Sequence, residues 1–269
     1  MKFSVLISVY YKEKSDFLFS ALTSIWEIQT LKPDEIVLVK DGSLNEDLDL
    51  VISKYLNIAP IKVISLPKNI GLGPALRVGL KNCSNELVIR MDSDDISIED
   101  RFEKQIAFMR ANPHISASSG VIQEFYNSPG DLARRRKLPS DYSQLYSFAK
   151  KRNPLNHPAV IFRKSHIEQV GSYEDVPFFE DYYLWIKLLN FGYKIANQNQ
   201  VLLNFRIGKD QIGRRHGFSY IKKEINFFNK MLSLGFISKI EYFSISFKRL
   251  PVRFLPKSVL SLFYKLVLR

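Results

Sequence analysis

Residues 86–95 read ELVIRMDSDD, a short apolar segment that ends in three carboxylates within four residues. The apolar part, residues 86–91, is rich in branched aliphatic side chains and is bounded by polar residues, which predicts a buried β-strand. In open α/β sheets, ligands bind in the crevice outside the carboxyl ends of the strands. An acidic run at the end of such a strand therefore predicts that the functional residues gather at this edge of the sheet.

The N-terminal half of the chain repeats the same unit. Further apolar segments read FSVLISV, EIVLV and IKVIS, and the segments between them carry apolar residues at helical spacing. Strands that alternate with helices of about 10–15 residues predict an α/β protein with a mostly parallel sheet and helices on both faces. The predicted strands are residues 3–9, 35–39, 61–65 and 86–91, and the predicted helices are residues 18–30, 47–55 and 73–82.

The alternation loosens beyond residue 100. From about Gly217, short amphipathic helices are predicted, interrupted by Gly235, Pro251 and Pro256. Before them we expect a helix at 101–112, one or two strands at 115–125, an irregular basic loop at 131–139, a strand at 156–163 and a helix at 181–191.

The formal net charge of +12 over 269 residues favours nucleic-acid binding at first sight. The charge is unevenly distributed, however. Residues 1–204 hold 25 Lys and Arg against 24 Asp and Glu, whereas residues 205–269 hold 14 Lys and Arg against three acids. The positive excess belongs to the last quarter of the chain, and it needs an explanation separate from that of the acidic run.

Composition and motifs exclude several classes of protein. A hydrophobic share of 46% with 25% charged residues is typical of a globular protein. Cys83 is the only cysteine, which excludes an internal disulfide framework and favours a reducing compartment. The four histidines are scattered, so no structural zinc site is expected. Neither a signal peptide nor a transmembrane helix is expected from the apolar segments.

The acidic run itself has two interpretations. Asp92, Asp94 and Asp95 supply hard oxygen ligands of the kind that Mg²⁺ and Mn²⁺ prefer, and such ions take remaining ligands from substrate phosphates. The alternative is a solvated acidic turn that caps the helix after it. The position at the ligand edge of the sheet favours the metal site.

Two further loops leave strands at the same edge. Asp41, in the segment DGS, can accept a hydrogen bond from a base N–H, although an ordinary Asp-Gly turn explains it equally well. Tyr10 and Tyr11 follow the first strand and can stack on a base, or serve only as packing aromatics.

The segment FEDYYLW begins a predicted helix with two acids, Glu180 and Asp181. Acids in the first turn stabilise a helix through its macrodipole, which is one interpretation of the pair. The other is a general base, because a carboxylate among aromatic rings is partly desolvated and its pKa rises towards the range useful for abstracting a proton.

Taken together, these segments resemble one family. The series SVLISVYYKE, EIVLVKDGS, NIGLGPALRVGL, VIRMDSDD, DRFEKQ, NHPAVIFRKS and EDYYLW, in this order over about residues 3–206, is similar to family 2 glycosyltransferases of the GT-A fold. The resemblance implies a single α/β domain of the GT-A type, with a central mostly parallel sheet flanked by helices and a C-terminal amphipathic helical extension. We expect the catalytic domain at 1–210, with a nucleotide-sugar half at about 1–98 and an acceptor half at about 99–210, and a basic, membrane-associating extension at 211–269.

The resemblance also implies roles for individual residues. Asp181 matches the catalytic base, with Glu180 beside it, and Mn²⁺ or Mg²⁺ is expected on Asp94 and Asp95. Lys40 and Arg77 depart from the family pattern and leave the donor open. The residues expected to bind the nucleotide sugar are Ser8, Tyr10, Glu13, Asp41, Arg90, Asp92 and Asp94, and those expected near the acceptor and its diphosphate are His157, Arg206, Arg214 and Arg215.

The implied function is inverting, metal-dependent transfer of a sugar from a nucleoside-diphosphate donor, UDP-Gal or UDP-Glc, to a lipid-diphosphate-linked sugar in bacterial O-antigen or capsule synthesis. The basic, aromatic-rich tail is typical of a segment on an anionic membrane, so a peripheral location on the cytoplasmic face is expected, with a polyprenyl-diphosphate-linked acceptor and without nucleic acid. The alternative interpretation of the tail is a helical flap that packs over the catalytic domain. The alternative functions are a nucleic-acid-binding protein that uses the tail and a sugar-phosphate nucleotidyltransferase.

Overall fold

A computed structural model of the chain describes residues 1–208 and 216–254. These two ranges contain nine β-strands and nine α-helices. The strands are β1 (Phe3–Val9), β2 (Glu35–Lys40), β3 (Ile61–Ser65), β4 (Leu87–Asp92), β5 (Ile96–Ser97), β6 (Ile115–Phe125), β7 (Arg134–Arg136), β8 (Ile161–Arg163) and β9 (Lys194–Arg206). The helices are α1 (Ser15–Ile25), α2 (Glu46–Leu56), α3 (Leu72–Asn82), α4 (Arg101–Ala111), α5 (Tyr142–Ala149), α6 (Lys164–Gln169), α7 (Glu180–Asn190), α8 (Phe218–Ser233) and α9 (Lys239–Arg249).

One sheet runs through the described chain in the order β3-β2-β1-β4-β8-β6-β9-β5, with β7 paired to β6. The pairs among β3, β2, β1 and β4 are all parallel, as the alternation of strands and helices predicts. Beyond β4 the sheet is mixed, because β8 runs antiparallel to both β4 and β6, whereas β6 and β9 are parallel. The α/β fold class is therefore confirmed, and the parallel part of the sheet is its N-terminal half.

The two faces of the sheet bury different side chains, since successive residues of a strand point to opposite faces. Leu6, Val39 and Val88 lie on the face that α3 and α7 cover. Val5, Ile7 and Ile89 lie on the face that α1 and α4 cover. Helices therefore cover both faces of the parallel strands, which leaves the strand ends as the accessible edge for a ligand.

Several segments differ from the sequence-based expectations, and the helices α5 and α6 were not predicted. Residues 156–163 form a 3₁₀ turn at His157–Ala159 before the short strand β8, because Pro158 has no N–H to donate to a ladder. The basic loop at 131–139 contains the three-residue strand β7. The longest strand, β9, was not predicted, since the polar run NQNQ interrupts its apolar pattern and its pairing with β6 contains register shifts.

The C-terminal helices are present, and within the described residues they pack on the rest of the domain. The ring of Phe227 in α8 stacks on Phe179 at 4.6 Å between centroids and contacts Tyr182 at 4.7 Å. Glu224 is fully buried and binds Arg253 through two hydrogen bonds of 2.9 and 3.1 Å. Residues 216–254 thus pack against the rest of the domain, as the helical-flap interpretation expects. Across 1–208 and 216–254, no helix combines the length and hydropathy needed to cross a bilayer.

Candidate active site

The carboxyl ends of β1, β2 and β4 bring the first group of predicted residues together. Ser8 of β1 is in register with Val39 of β2 on one side and with Asp92 of β4 on the other. Because these strands are parallel, the loops that carry Tyr10, Asp41 and Asp94 all leave from the same edge of the sheet. The nucleotide-binding residues predicted from these three loops therefore lie at one edge.

The acidic run crosses from β4 to the short strand β5, which pairs with β9. Asp92, Asp94 and Asp95 each present a carboxylate oxygen, and the three oxygens lie within 4.8 Å of one another. Burial, together with the charges of Asp92 and Glu13, raises the pKa of Asp94 to about 7. Burial and the two neighbouring carboxylates raise the pKa of Asp95 well above its ordinary value.

This crowded negative charge fits a divalent cation. Oδ2 of Asp95 is buried and has no hydrogen-bond partner in the described structure. An orphaned carboxylate oxygen is costly unless a cation or donor reaches it, and carboxylate oxygens are the ligands that Mg²⁺ and Mn²⁺ favour. Asp92, Asp94 and Asp95 are the residues that can hold such an ion. None of them caps the following helix, because the N-cap position of α4 is occupied by Asp100, five residues after Asp95.

Arg90 lies beneath the acidic run. Its guanidinium forms an ion pair with Asp92, and the side chain is almost completely buried. Nε and Nη1 have no hydrogen-bond partner among the described residues. The positive charge of Arg90 acts on the carboxylates of both Asp94 and Asp95, lowering their pKa against the larger effect of burial. Arg90 was expected to bind the nucleotide sugar. In the structure it is buried and neutralises the charge of the acidic run from the interior.

Arg206 holds the acidic run from the other side. Its backbone N–H donates to Oδ1 of Asp95 at 2.8 Å, and its Nε donates to the carbonyl of Asp94 at 2.8 Å. The guanidinium lies between the rings of Phe17 and Phe125, at 3.8 and 4.5 Å from their centroids. Arg206 was expected near the acceptor diphosphate, but these contacts make it a support of the acidic loop. Arg214 and Arg215, from the same prediction, lie outside the described residues.

Asp41 organises the loop that precedes α3. Its carboxylate accepts hydrogen bonds from the N–H groups of Ile70 at 2.8 Å and Gly71 at 3.1 Å. Gly42, with φ +88°, packs so closely on Asn69 that a Cβ would lie 2.7 Å from its nitrogen. Asp41 and Gly42 therefore form a tight turn, and the carboxylate of Asp41 holds the loop at residues 69–71 in place. Each carboxylate oxygen retains a second lone pair, so Asp41 can still accept from a base N–H.

The loop after β1 joins the nucleotide side to the acidic run. Tyr10 and Tyr11 are exposed, with their rings in an edge-to-face pair at 5.8 Å. Glu13 accepts a hydrogen bond of 2.7 Å from the hydroxyl of Ser93, inside the acidic run. The two loops are thus tied together, with two aromatic rings free at the surface beside them.

Glu180 and Asp181 occupy the first turn of α7, where the helix macrodipole favours negative charge. Burial raises the pKa of Asp181, and a hydrogen bond of 2.6 Å from Nδ2 of Asn153 to its Oδ2 opposes that rise. Burial and the charge of Asp181 raise the pKa of Glu180 to about 7. The pair is thus partly desolvated, as the aromatic flanks predict, and one member is fixed in orientation.

The start of α3 packs closely against the Glu180–Asp181 pair, and the charge of Arg90 acts on both this pair and the acidic run at residues 92–95. A Cβ on Gly73 would lie 2.5 Å from the carbonyl oxygen of Glu174 and 3.1 Å from Cβ of Glu180, so only glycine allows this approach. The charge of Arg90 also lowers the pKa of Glu180 and Asp181 against the effect of burial. One buried guanidinium therefore lies close enough to act on both acidic groups.

His157 lies behind this site. It is buried in the 3₁₀ turn, with its Nε2 2.9 Å from the hydroxyl of Tyr173. Burial and the charge of Arg90 lower its pKa well below the ordinary value, so the ring is neutral at pH 7. The structure therefore gives His157 a role in packing under Arg90 and leaves no exposed face for an acceptor.

Two residues of the site were missed from the sequence. Asn153 stands between basic residues and Pro154 in the segment KKRNPLNHP, and only its place in a proline-bounded turn before His157 hints at a fixed side chain. Tyr173 is fully buried next to His157, and the charges of Asp181 and Glu180 both act on its hydroxyl. No sequence pattern marks Tyr173, because its position depends on the turn that follows Gly171.

Comparison with known proteins identifies the family of this chain. The family model described as Glycosyl transferase family 2 matches residues 4–171, more than half of the chain. The chain belongs to glycosyl transferase family 2. The match covers β1 to β8 and includes the loops with Asp41 and the acidic run, as the resemblance of the motifs implies.

Curated members of glycosyl transferase family 2 align with almost the whole chain. The amylovoran biosynthesis glycosyltransferase AmsE of Erwinia amylovora is 40% identical over 266 residues, covering 98% of both chains. The UDP-Gal:alpha-D-GlcNAc-diphosphoundecaprenol beta-1,3-galactosyltransferase of Escherichia coli is 40% identical over 268 residues, covering 100% of this chain and 97% of its own.

A solved structure shares the fold. The crystal structure of Staphylococcus aureus TarS 1-349 in complex with UDP-GlcNAc superposes with a TM-score of 0.64 at 19% identity, covering 93% of this chain and 72% of that one. The GT-A type of fold is thereby confirmed. The protein is a glycosyltransferase, so the alternatives of a nucleotidyltransferase and a nucleic-acid-binding protein are set aside.

Proposed function

We propose that this glycosyltransferase transfers galactose or glucose from its UDP-sugar, with inversion and with Mn²⁺ or Mg²⁺, to a hydroxyl of a lipid-diphosphate-linked sugar during synthesis of a bacterial O-antigen or capsule. The observation that carries the proposal is that buried Arg90 is ion-paired with Asp92 of the acidic run, while its charge also acts on Glu180 and Asp181. The two curated relatives at 40% identity support the donor, the acceptor class and the place in polysaccharide synthesis.

The donor nucleotide binds at the ends of β1 and β2. Tyr10 is exposed and can stack on the base, while a free lone pair of Asp41 accepts from the base N–H. Ser8 lies between the two loops, next to Asp92 in register. Glu13, through Ser93, keeps the base-binding loop in contact with the acidic run.

Asp94 and Asp95, with Asp92 beside them, would hold the divalent ion. A bound ion would supply positive charge to stabilise the nucleoside diphosphate as a leaving group. Arg90 orients Asp92 through their ion pair, and Arg206 fixes the loop through hydrogen bonds to Asp94 and Asp95. These two arginines therefore set the shape of the donor site without contacting the donor.

Asp181 is the general base. It removes the proton from the acceptor hydroxyl, whose oxygen forms a bond to the anomeric carbon while the bond from that carbon to the diphosphate oxygen breaks. Attack from the face opposite the leaving group inverts the configuration in a single displacement. Asn153 keeps the carboxylate aimed, and Glu180 lies beside it near the acceptor.

Different segments of the chain bind the donor, the acceptor and the membrane. Residues 1–98 bind the donor, residues 99–210 bind the acceptor, and residues 211–269 associate with an anionic membrane at its cytoplasmic face. The net charge of +11 in the last 65 residues and the printed acceptor of the Escherichia coli relative support a membrane-borne, diphosphate-linked substrate. Arg214 and Arg215 are the residues proposed to bind the diphosphate of the acceptor.

The test is Asp181→Asn in the full-length chain, assayed with UDP-Gal and UDP-Glc on a synthetic lipid-diphosphate-linked sugar in the presence of Mn²⁺. We expect transfer to fall by at least about 1,000-fold while UDP still binds, because the base is lost and the donor site is intact. Asp175→Asn, an exposed neighbour in the preceding loop, is the matched control and should keep activity. Unchanged turnover in Asp181→Asn would refute the assignment of the base.

A further inference from the structure

The outer face of α9 carries a row of large apolar side chains that nothing covers in the described structure. Ile240, Phe243 and Phe247 are 82%, 70% and 81% exposed, and their spacing of three and four residues places them in one row along the helix. Isolated exposed hydrophobic residues are normal, but a contiguous row indicates a surface for interaction.

The row continues into a shallow groove and then towards the active site. The ring of Phe218, at the start of α8, contacts Phe254 edge-to-face at 5.2 Å between centroids. Two residues further along α8, Tyr220 contacts both Phe178 and Phe179, which immediately precede Glu180. The groove is lined by Phe243, Ser246, Phe247, Leu250, Pro251 and Phe254.

Lysines flank this surface. At 100° per residue, Lys239 and Lys248 lie on the two flanks of the apolar row, and both are exposed. Of the two acids in residues 216–254, Glu224 is buried against Arg249 and Arg253, and the partly exposed Glu241 is ion-paired with Lys150 at 2.7 Å. The outer surface therefore combines bulky apolar side chains with a basic rim formed by Lys239 and Lys248.

We infer that this face, which we call the α9 face (Ile240, Phe243, Phe247, Phe254, Phe218, Lys239 and Lys248), docks on the surface of an anionic bilayer. An apolar row flanked by lysines is the arrangement of an interfacial helix, whose rings enter the acyl boundary while the lysines stay at the headgroups. A second copy of the chain would oppose basic rim to basic rim, which like-charge repulsion disfavours.

The inference rests on the proposed lipid-linked acceptor and deepens it, because it assigns the membrane contact to particular residues. The position of this face relative to the active site also explains how membrane contact would help the reaction. The aromatic path from Phe254 through Phe218 and Tyr220 ends beside Glu180 and Asp181, so a docked enzyme meets a bilayer-anchored acceptor on the side of its base.

The experiment is flotation of the full-length chain with vesicles of phosphatidylcholine, alone or mixed with phosphatidylglycerol. We expect flotation with the mixed vesicles and a loss of affinity of about tenfold or more in Phe243→Ser/Phe247→Ser. Lys239→Gln/Lys248→Gln should lose about fivefold per lysine on the mixed vesicles and nothing on neutral ones. Leu50→Ser, whose side chain on α2 is 68% exposed, is the matched control and should float as the parent does.

A transfer assay on a soluble acceptor with a short chain separates this inference from the proposed function. The phenylalanine and lysine variants should keep parental turnover there and lose it only on acceptor embedded in vesicles, whereas Leu50→Ser should keep it on both. If the parent floats but transfers no sugar to either acceptor, the proposed function fails and the docking face stands.

Three results would overturn the docking face. One is equal flotation of the parent and the double phenylalanine variant. The second is a dimeric parent that becomes monomeric in that variant with flotation unchanged, since the face would then bind a second copy. The third is loss of flotation in Phe263→Ser with none in Phe243→Ser/Phe247→Ser, which would move the contact to residues 255–269.

Discussion

Nδ2 of Asn153 donates a hydrogen bond of 2.6 Å to Oδ2 of Asp181, across 28 positions of sequence. Asn153 comes from the loop after α5, whereas Asp181 is in the first turn of α7. The bond has two effects. It fixes the rotamer of the carboxylate, and it favours the ionised form against the desolvation that raises its pKa.

Loss of this hydrogen bond should reduce the efficiency of Asp181 as a base, although the carboxylate itself remains. In Asn153→Ala we expect kcat to fall about 10–100-fold, with a smaller change in the affinity for UDP. The pKa of Asp181 should rise further, so the acidic limb of the kcat profile moves up by about one pH unit. Transfer assays across the pH range measure both effects. Asn57→Ala, at the end of the distant helix α2, should leave the profile in place, and an unmoved limb in Asn153→Ala would contradict the role assigned to the bond.

Glu180 should make the folded protein less stable as pH rises. Its pKa lies at about 7 in the folded chain against an ordinary 4.5, so the folded state binds more protons than the unfolded state between these values. Stability that is present below pH 4.5 is therefore lost as pH rises through 7. Glu180→Gln escapes this loss, and because the side chain is only half-buried we expect it to be stabilised by about 1–2 kcal/mol at pH 8.

Urea denaturation at pH 4.5 and pH 8, in metal-free buffer, measures the effect of Glu180→Gln. The gain over the parent should be present at pH 8 and absent at pH 4.5. A gain of the same size at both pH values would mean that the substitution acts through packing and not through the charge of Glu180.

The acidic run should govern the requirement for metal. Treatment with EDTA is expected to abolish transfer, and added Mn²⁺ to restore it, because the clustered carboxylates lack a counter-ion that reaches Asp95 Oδ2. In Asp95→Asn the Mn²⁺ concentration for half-maximal activity should rise at least about tenfold. Asp100→Asn, five residues further along the same chain segment and ion-paired with Lys104, is the control. Full activity after EDTA treatment would rule out a metal requirement.

The buried carboxylate of Glu224 should hold the C-terminal helices in place. It binds Arg253 and Arg249, so its removal breaks the ion pairs that join the buried carboxylate to both guanidinium groups. We expect Glu224→Ala to lower the free energy of unfolding by about 3–5 kcal/mol. Glu241→Ala, which breaks a more exposed pair with Lys150, should cost less than about 1 kcal/mol. Chemical denaturation compares the two, and equal losses would contradict the difference in burial.

The local pattern was sufficient to predict the N-terminal half of the fold. The strands at Phe3–Val9, Glu35–Lys40 and Leu87–Asp92 were recognised from continuous apolar runs, because these strands are buried on both faces. The edge strand Ile61–Ser65 is only partly buried and was recognised from its branched aliphatic residues. The C-terminal half was harder to predict. Lys194–Arg206 forms the longest strand although polar residues interrupt it, and its pairing with β6 is an interaction between distant segments.

The sequence by itself determined the α/β class, the loops that meet at the strand ends, and the separate, basic character of the last quarter of the chain. These follow from periodicity and composition, which are local properties. Only the tertiary structure decided that Arg90 and Arg206 support the acidic run from within, and that Asn153 orients Asp181. It also decided that Glu224 turns inward and leaves the outer face of α9 basic and apolar. The physical reason is that burial and long-range pairing, which no local pattern encodes, determine whether a charged side chain meets a substrate or another side chain.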